Sequence, residues 1–363
     1  MDEYRAAFRE PQGYLNFASF GPPSLAVQNA IGAAVSQAVL GGSSAVLHAA
    51  DQRALAAIAR LTGFPEQACT LATSTSAGLQ QIAFGMPAGE VLVSGDEFPS
   101  NLYPWWRAQE AGLLSVRALE RAEPECPLQV TPEVIAAALR PETVAVAISA
   151  VDFRTGYRAD LAGLRQVIGD RLLVVDGIQG FGVLDQDWTH ADALAVGGQK
   201  WLRAGWGTGF LALSPRGLDR IRPLLGSWTG VEEPSVYDGQ EHAPLAGARS
   251  LSVTNLSPFS SAALGAALEL LETVGVAAVQ DRIEQSVKVL RAELQDLPLL
   301  SPEEPQQRAG ILVVGVADAQ QALAALAETG ITATAHGHDR VRLSVHATTD
   351  PAVFPLVASI LGR

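Results

Sequence analysis

The sequence predicts an α/β protein built on a mostly parallel sheet, followed by a smaller α+β domain. Helical patterns alternate with short β-branched runs up to about residue 250, and this order of elements is typical of a parallel sheet covered by helices. Most of these runs are apolar throughout rather than alternating, as expected when both faces of the sheet are buried. Hydrophobic residues make up 48% of the chain and charged residues 17%, so a large core can form.

The predicted elements follow in chain order. Residues 24–61 are rich in alanine and have helical spacing. Strands are predicted at residues 91–94, 144–149, 172–176, 193–196 and 209–213. Beyond about residue 250, helical patterns cover 260–273 and 276–294, and they are followed by a strand at 310–316, a helix at 319–330 and a strand at 340–345. This last group predicts a small α+β domain appended to the large one.

Composition and charge exclude several classes of protein. The chain has 25 basic and 38 acidic residues, a formal net charge of −13, and no run of Lys or Arg, which argues against a nucleic-acid or anionic-membrane surface. Two cysteines, Cys69 and Cys126, cannot form a disulfide framework and fit a reducing compartment. The acidic N-terminus does not resemble a signal peptide, and no apolar run reaches the ~18 residues of a membrane span. We therefore expect a cytoplasmic protein.

Residues 172–209 contain the most informative candidates for a functional site, because two apolar strands there are followed by Asp176 and Lys200. Ligands of open parallel sheets sit beyond the carboxyl ends of the strands, so a carboxylate and an amine could face one bound molecule there. Lys200 follows residues 197–199 (GGQ) and precedes the bulky Trp201, which predicts a partly desolvated amine. Desolvation lowers the pKa of a lysine, as an imine-forming lysine requires. Taken alone, the pair could also be a surface lysine and a turn aspartate.

Read in register, these motifs resemble the class V aminotransferases. The pattern V-V-D-G-x-Q is followed by Lys200, which lies 24 residues after Asp176, and by G-x-G-T-G-F. Further segments are similar to those of the family in the same order: Tyr14-Leu15-Asn16 with Gly21-Pro22, residues 72–78 (ATSTSAG), residues 97–105 (EFPSNLYPW) and residues 341–344 (VRLS). This family is the branch of fold-type I pyridoxal 5'-phosphate enzymes that includes cysteine desulfurases, kynureninase and isopenicillin N epimerase.

The resemblance implies the fold-type I architecture. Residues 1–20 would be an N-terminal segment packing on the small domain, residues 21–250 a large cofactor domain with a mostly parallel, seven-stranded-type sheet, and residues 251–363 the small C-terminal α+β domain. It also implies a homodimer, because relatives build each active site from both subunits.

The resemblance also implies roles around the cofactor ring. Lys200 would hold the aldehyde of pyridoxal phosphate as a Schiff base and move protons at the substrate α-carbon. Asp176 would keep the pyridine nitrogen protonated, so that the ring accepts electrons. Gln179 would hydrogen-bond near the phenolic oxygen, and Phe98 would stack on the ring. Desulfurases typically carry a histidine in place of Phe98, and a phenyl ring cannot transfer a proton.

A phosphate group needs hydroxyls and backbone amides, preferably at a helix N-terminus. Thr75 and Ser76 match the usual phosphate contacts of the family, although the run read alone could be an ordinary helix cap. Gln199 stands where many relatives have a histidine and could bind the phosphate instead. Thr254 or Asn255 could reach the phosphate of the partner subunit.

An α-carboxylate is best held by a bidentate arginine. We predict that Arg342, in the matching V-R-L-S strand, binds the substrate carboxylate. Arg340 would point to the same face and could serve instead. The alternative interpretation is an arginine at the rim of a surface strand. Residues 18–20 would line the substrate side. Trp228 is similar to an active-site tryptophan of kynureninase-like relatives, or it belongs to a core or an interface.

Three observations limit the chemistry. Residues 331–341 (ITATAHGHDRV) hold no cysteine where desulfurases have their active-site cysteine, so we do not expect the usual persulfide mechanism. Phe153 stands where desulfurases place an asparagine near the phenolic oxygen. His336 and His338 have the spacing of two metal ligands on a strand but lack a third, so a solvated loop is favoured and no metal is expected.

The predicted function is a pyridoxal-phosphate-dependent enzyme acting on the α-amino group of a small amino acid. We name an aminotransferase first, because the resemblance is to that class as a whole. An epimerase of the isopenicillin N epimerase type and a β-eliminating lyase stay open, since all three reactions use Lys200 and Asp176. A nicotinamide-dependent oxidoreductase would need a glycine-rich turn, which residues 89–101 lack. A non-catalytic relative is disfavoured, because both Lys200 and Asp176 are present.

Overall fold

The structure is a computed structural model that describes residues 1–121 and 127–362. Cys126 lies outside the described residues. The strands of the large sheet are Cys69–Leu71 (β1), Glu90–Ser94 (β2), Ser115–Leu119 (β3), Thr143–Ser149 (β4), Leu172–Asp176 (β5), Ala193–Gly197 (β6) and Gly209–Leu213 (β7). Their order is β1-β7-β6-β5-β4-β2-β3, and β7 alone runs against its neighbours in this sheet. The predicted α/β class with a mostly parallel sheet is confirmed.

A second, antiparallel sheet lies in the C-terminal part of the chain. It has the order β8-β10-β9 and consists of Ile311–Gly315 (β8), Thr334–Ala335 (β9) and Arg340–Ser344 (β10). The N-terminal segment reaches this sheet, because Asn16 bridges to Ser344 and the Leu15 N–H donates to the Thr332 carbonyl at 2.9 Å.

The helices surround both sheets. They are Asp2–Ala6 (α1), Leu25–Val39 (α2), Ser44–Leu47 (α3), Ala49–Thr62 (α4), Thr75–Gly85 (α5), Tyr103–Glu110 (α6), Pro132–Ala138 (α7), Leu161–Ile168 (α8), Pro215–Arg220 (α9), Pro258–Val274 (α10), Val276–Glu293 (α11), Ala319–Glu328 (α12) and Phe354–Leu361 (α13). The helical stretch predicted at 24–61 is broken after α2, where Gly41 has a φ of +74° that favours glycine. Among the described residues no single helix is long and apolar enough to cross a membrane; α10 and α11 pass that test only as a pair bent by 78°.

Both faces of the large sheet are buried, in two separate hydrophobic clusters. In β5, Leu173 and Val175 belong to the cluster that contains Leu264 and Leu268 of α10, whereas Leu172 and Val174 belong to a cluster with α5 and α6. This two-sided burial explains why the central strands are apolar throughout.

The packing brings the ends of β4 and β5 together. Ser149 and Asp176, the last residues of these strands, are direct neighbours in the parallel register. The chain then forms β6 and a turn that carries Lys200. The carboxyl edge of the sheet is therefore where the predicted site residues meet.

Candidate active site

Asp176 and Lys200 face each other at the carboxyl edge of the large sheet. Asp176 is 2% exposed, and its Oδ1 accepts the Ile178 N–H at 2.9 Å. Burial raises the pKa of Asp176 to about 6, against the lowering effect of the Ile178 hydrogen bond and the Lys200 charge. Burial likewise lowers the pKa of the Lys200 amine to about 8. A large fraction of this amine is consequently neutral just above physiological pH, as nucleophilic attack on an aldehyde requires.

The turn that carries Lys200 is held by the N-terminal segment. The Gly21 N–H donates to the Gln199 carbonyl at 2.9 Å. A Cβ atom on Gly21 would lie 2.0 Å from the Lys200 carbonyl oxygen, so no other residue fits there without moving the backbone. This close approach gives a physical reason for the glycine in the Gly21-Pro22 motif.

Phe98 presents its ring to Lys200. The Nζ atom lies 5.3 Å from the ring centroid, and the residue is 41% exposed. Phe153 packs edge-on against Phe98, with 5.2 Å between the ring centroids. The residue found where desulfurases have an asparagine therefore supports the ring that faces Lys200.

Thr75 and Gln199 lie together where the phosphate group is expected. Ser74 caps α5, since its side chain accepts the Ala77 N–H at 3.1 Å, and this leaves the Thr75 hydroxyl free. Thr75 Oγ1 is buried without a hydrogen-bond partner. A Cβ atom on Gly197 would lie 3.0 Å from Thr75 Oγ1 and 2.6 Å from Gln199 Oε1, so both side chains approach the end of β6.

A buried hydroxyl without a partner costs free energy unless a ligand completes it. Thr75 offers such a hydroxyl at the N-terminus of an eleven-residue helix, where the helix dipole favours an anion. The neighbouring Ser76 hydroxyl is shared with Ser100 at 2.7 Å. This set of donors fits a phosphate group.

Gln179 connects three parts of the site. Its Nε2 donates to the Ala18 carbonyl at 3.0 Å, and its Oε1 accepts from Trp201 Nε1 at 2.7 Å. One amide hydrogen and one oxygen lone pair stay available in principle. The predicted contact of Gln179 with the phenolic oxygen stays a prediction.

Arg342 lies inside the protein, near enough to Lys200 for its charge to lower the pKa of the amine. It is 4% exposed, its Nη1 donates to the Phe153 carbonyl at 3.0 Å, and its Nη2 donates to Ser19 Oγ at 2.7 Å. Its Nε is buried without a partner, and among the described residues no carboxylate pairs with it. Arg340 is instead partly exposed and 3.6 Å from Asp339. Of the two candidates, Arg342 is the buried one, and its unpartnered Nε is a donor that a ligand can use.

Other predicted residues lie elsewhere in the single chain. Thr254 and Asn255 line a small cavity with Thr70 and Arg249 rather than approaching Lys200. Trp228 is half exposed and lines a cavity formed mostly by residues 222–250. Their predicted roles stay predictions.

The structure changes the interpretation of His336 and adds one residue, Glu97, that the sequence did not indicate. His336 does not lie in a simply solvated loop: its ring packs on Phe153 at 5.5 Å between centroids. Burial and the charges of nearby arginines, Arg342 foremost, lower its pKa to about 4. No group of three potential metal ligands occurs in the described part of the chain. Glu97, which directly precedes Phe98, contacts Ser149 at the end of β4.

Cys69 takes no part in this site. It begins β1, its thiol contacts the Pro65 carbonyl at 3.5 Å, and burial raises its pKa to about 12. A thiol with so high a pKa is a poor nucleophile.

The sheet topology and this arrangement of lysine, aspartate, aromatic ring and anion cradle define a fold-type I pyridoxal-phosphate-dependent enzyme. Residues 43–352 match the family described as aminotransferase class-V, and the chain belongs to that family. The expected family and the expected cofactor are thereby confirmed.

Two curated relatives are enzymes named for different reactions. The chain is 29% identical over 277 residues to isopenicillin N epimerase of Streptomyces clavuligerus, covering 70% of this chain and 68% of the relative. It is 27% identical over 253 residues to kynureninase of Deinococcus radiodurans, covering 66% of this chain and 59% of the relative.

Solved structures agree on the fold. A complex of a cystine C–S lyase with cysteine persulfide has a TM-score of 0.86 at 22% identity, covering 96% of this chain and 97% of the other. A cysteine desulfurase from Escherichia coli has a TM-score of 0.84 at 20% identity, covering 100% and 97%. At these identities the likeness concerns the fold alone.

Proposed function

We propose that this protein uses pyridoxal phosphate to act on the α-amino group of a small amino acid, with transamination as its reaction. The observation that carries the proposal is the Lys200 amine, which has a lowered pKa and lies over the face of Phe98. Bound pyridoxal phosphate would supply an acceptor for the electrons left on the substrate α-carbon once that carbon has lost its proton.

The residues of this chain divide the work. Lys200 Nζ would hold the aldehyde of the cofactor and would move the proton of the substrate α-carbon. Asp176 supplies the negative charge for the ring nitrogen, and Phe98 holds the ring plane. Thr75, with Ser76 and Gln199, holds the phosphate.

Arg342 holds the substrate carboxylate. A guanidinium has five N–H donors, and two of those of Arg342 are used by Phe153 and Ser19. Three donors remain, which suffices for a bidentate contact with a carboxylate.

The preference for transamination comes from the number of bases at the site. Lys200 can take a proton from the α-carbon and deliver it to a neighbouring carbon on the same face, and this needs one base. Phe98 and Phe153 cannot transfer a proton, and the low pKa of His336 makes it a weak base. Epimerisation is the second candidate, favoured by the similarity to isopenicillin N epimerase. It needs a proton returned on the opposite face.

The test begins with borohydride reduction of the protein loaded with pyridoxal phosphate, followed by peptide mass spectrometry. The proposal expects the label on Lys200 and none in Lys200→Ala. A label on another lysine would overturn the assignment.

A panel of amino acids is then mixed with the loaded protein. Transamination yields a keto acid and the amine form of the cofactor, elimination yields ammonia and a keto acid while the cofactor is regenerated, and epimerisation yields inverted, deuterium-exchanged amino acid.

We also infer that the working form is a homodimer. In one chain Thr254 and Asn255 stay away from Lys200, and the aromatic side chains of Trp206, Trp228 and Tyr237 are exposed. A second subunit could cover these rings and receive the two polar residues. Sedimentation equilibrium tests this inference, and a monomer at micromolar concentration with full activity would contradict it.

A further inference from the structure

Glu97 is a carboxyl group at this site that the proposed chemistry does not use. Its Oε1 accepts the backbone N–H of Ser149 at 2.8 Å, and its Oε2 contacts Ser149 Oγ. Glu97 directly precedes Phe98, and Ser149 ends β4 beside Asp176. The Glu97 side chain therefore connects the segment that contains Phe98 to the end of β4, next to the Asp176 carboxylate.

The segment that contains Phe98 is fixed at two points. Glu97 attaches its first residue to β4, and Ser100 attaches the following turn to Ser76 at the start of α5. The exposed Phe98 ring lies between these attachments. Its orientation toward Lys200 depends on both of them.

The charges around Glu97 favour a neutral acid. The negative charge of Asp176, at the end of β5, raises the pKa of Glu97. Ser149, at the end of β4, carries no charge near neutral pH. On its own segment, Asp96 is engaged by Arg154 and Arg121. Lys200 stabilises the charge of Asp176. When two carboxyl groups are near one amine, the group closer to the amine ionises first, and the other keeps its proton.

Burial of the carboxyl group is the main cause of a Glu97 pKa raised to about 7. The charge of Asp176 contributes to this rise, whereas hydrogen bonds from Ser149 and Asn101 lower the pKa. Ser149 donates its N–H to Oε1 and its O–H to Oε2 of Glu97. The protonated acid can keep both contacts, because each carboxyl oxygen still has a lone pair to accept with.

We propose that Glu97 is a positioning residue of the cofactor site: a neutral carboxylic acid that holds the Phe98 segment against the end of β4 and leaves the negative charge on Asp176. The cofactor part rests on the proposed function, because only a bound pyridine ring makes use of that charge. The protonation of Glu97 is a property of the protein alone and can be measured without the cofactor.

The experiment uses Glu97→Gln, which keeps the size and both contacts but cannot ionise, and Glu97→Ala, which removes the contacts. The matched control is Glu110→Gln on α6, an exposed glutamate paired with Arg107. Infrared difference spectra of the apoprotein between about pH 6 and about pH 8 should show a protonated-carboxyl band that disappears on raising the pH. Asp176, with a pKa of about 6, also contributes to this band, so we expect the full band in the control and a clearly smaller one in Glu97→Gln. A band of equal size in Glu97→Gln would overturn the neutral-acid assignment.

Pyridoxal phosphate is then titrated into each variant and its induced circular dichroism recorded. Loss of two hydrogen bonds in Glu97→Ala should weaken cofactor binding about tenfold and reduce the induced signal, while Glu97→Gln should restore both to near the wild-type level. Unchanged binding and signal in Glu97→Ala would overturn the positioning role. Should borohydride label a lysine other than Lys200, the proposed function fails and the infrared result still decides the protonation of Glu97.

Discussion

Arg203 is a buried cation three residues beyond Lys200, and its removal should destabilise the whole site. The side chain is 1% exposed and that of its ion-pair partner Glu10 is 8% exposed. Its Nε donates to the Pro22 carbonyl at 2.6 Å and its Nη1 to Thr348 Oγ1 at 3.0 Å. The guanidinium also lies 3.5 Å from the ring centroid of Phe8. The N-terminal segment, the Lys200 turn and the C-terminal residues meet at this one group.

The expected magnitude follows from this burial. Breaking a buried ion pair by removing one partner costs about 3–5 kcal/mol, because the remaining charge is left without compensation. We therefore expect Arg203→Met to lower the free energy of unfolding of the apoprotein by about that amount. The double variant with Glu10→Gln should lose less than the sum of the two single variants, since no charge is then left alone.

Urea unfolding followed by tryptophan fluorescence measures these differences, and Arg53→Met is the matched control. Arg53 is also paired with a glutamate, since its Nε and Nη2 donate to Glu269 at 3.0 and 2.5 Å. Its side chain, however, is 63% exposed, so the loss should be about 1 kcal/mol or less. Equal losses in Arg203→Met and Arg53→Met would refute the reasoning from burial.

Three further predictions concern the site directly. Thr75→Ala should weaken pyridoxal phosphate binding about tenfold while leaving apoprotein stability unchanged or higher, because the hydroxyl has no partner in the protein; cofactor titration and urea unfolding test both parts. Arg342→Lys keeps a charge but loses the planar fork, so spectral titration with amino acids should show affinity reduced roughly tenfold or more at unchanged cofactor affinity. Asp176→Asn should inactivate the enzyme yet stabilise the apoprotein at high pH. The pKa of Asp176 is raised to about 6 from 3.8, so its contribution to stability is complete below about pH 4 and is lost as the pH rises through about 6. The variant should therefore gain up to about 3 kcal/mol relative to wild type between pH 4 and pH 8, and equal pH dependence of the two proteins would contradict this.

The central strands were predictable because they are buried on both faces. The strand predicted at 172–176 coincides with β5, and its neighbours differ by a residue or two. The edge strands β1 and β3 were missed: β1 has three residues, and Ser115–Leu119 is half exposed and contains an arginine. The two-residue β9 was missed as well. Short or half-exposed strands lack the apolar run that identifies a buried strand.

The candidate site was predictable where it depends on strand ends and less so where it depends on distant partners. Asp176 and Lys200 follow consecutive strands, so the topology alone places them at one edge. Which hydroxyl of the run at 73–76 stays free depends on where α5 begins, and a shift of one residue would exchange the roles of Ser74 and Thr75. The contact of Glu97 with Ser149 joins residues 52 positions apart, and no local pattern indicates it.

The N-terminal segment sets the distance between the two ends of the proposed substrate site. Lys200 lies on the turn after β6 of the large sheet and Arg342 lies in β10 of the small one. In the proposed function, a small amino acid must reach both. Ser19 holds Arg342, the Ala18 N–H donates to Ser344 Oγ at 3.0 Å, and Gly21 packs on the Lys200 carbonyl. Residues 18–21 thus connect the small sheet to the Lys200 turn, and the turn at residues 17–19 helps to fix the spacing between the arginine and the amine. Since that spacing decides which substrate can bind its carboxylate and present its α-carbon at once, selectivity for substrate size depends on this segment as much as on the groups that touch the substrate.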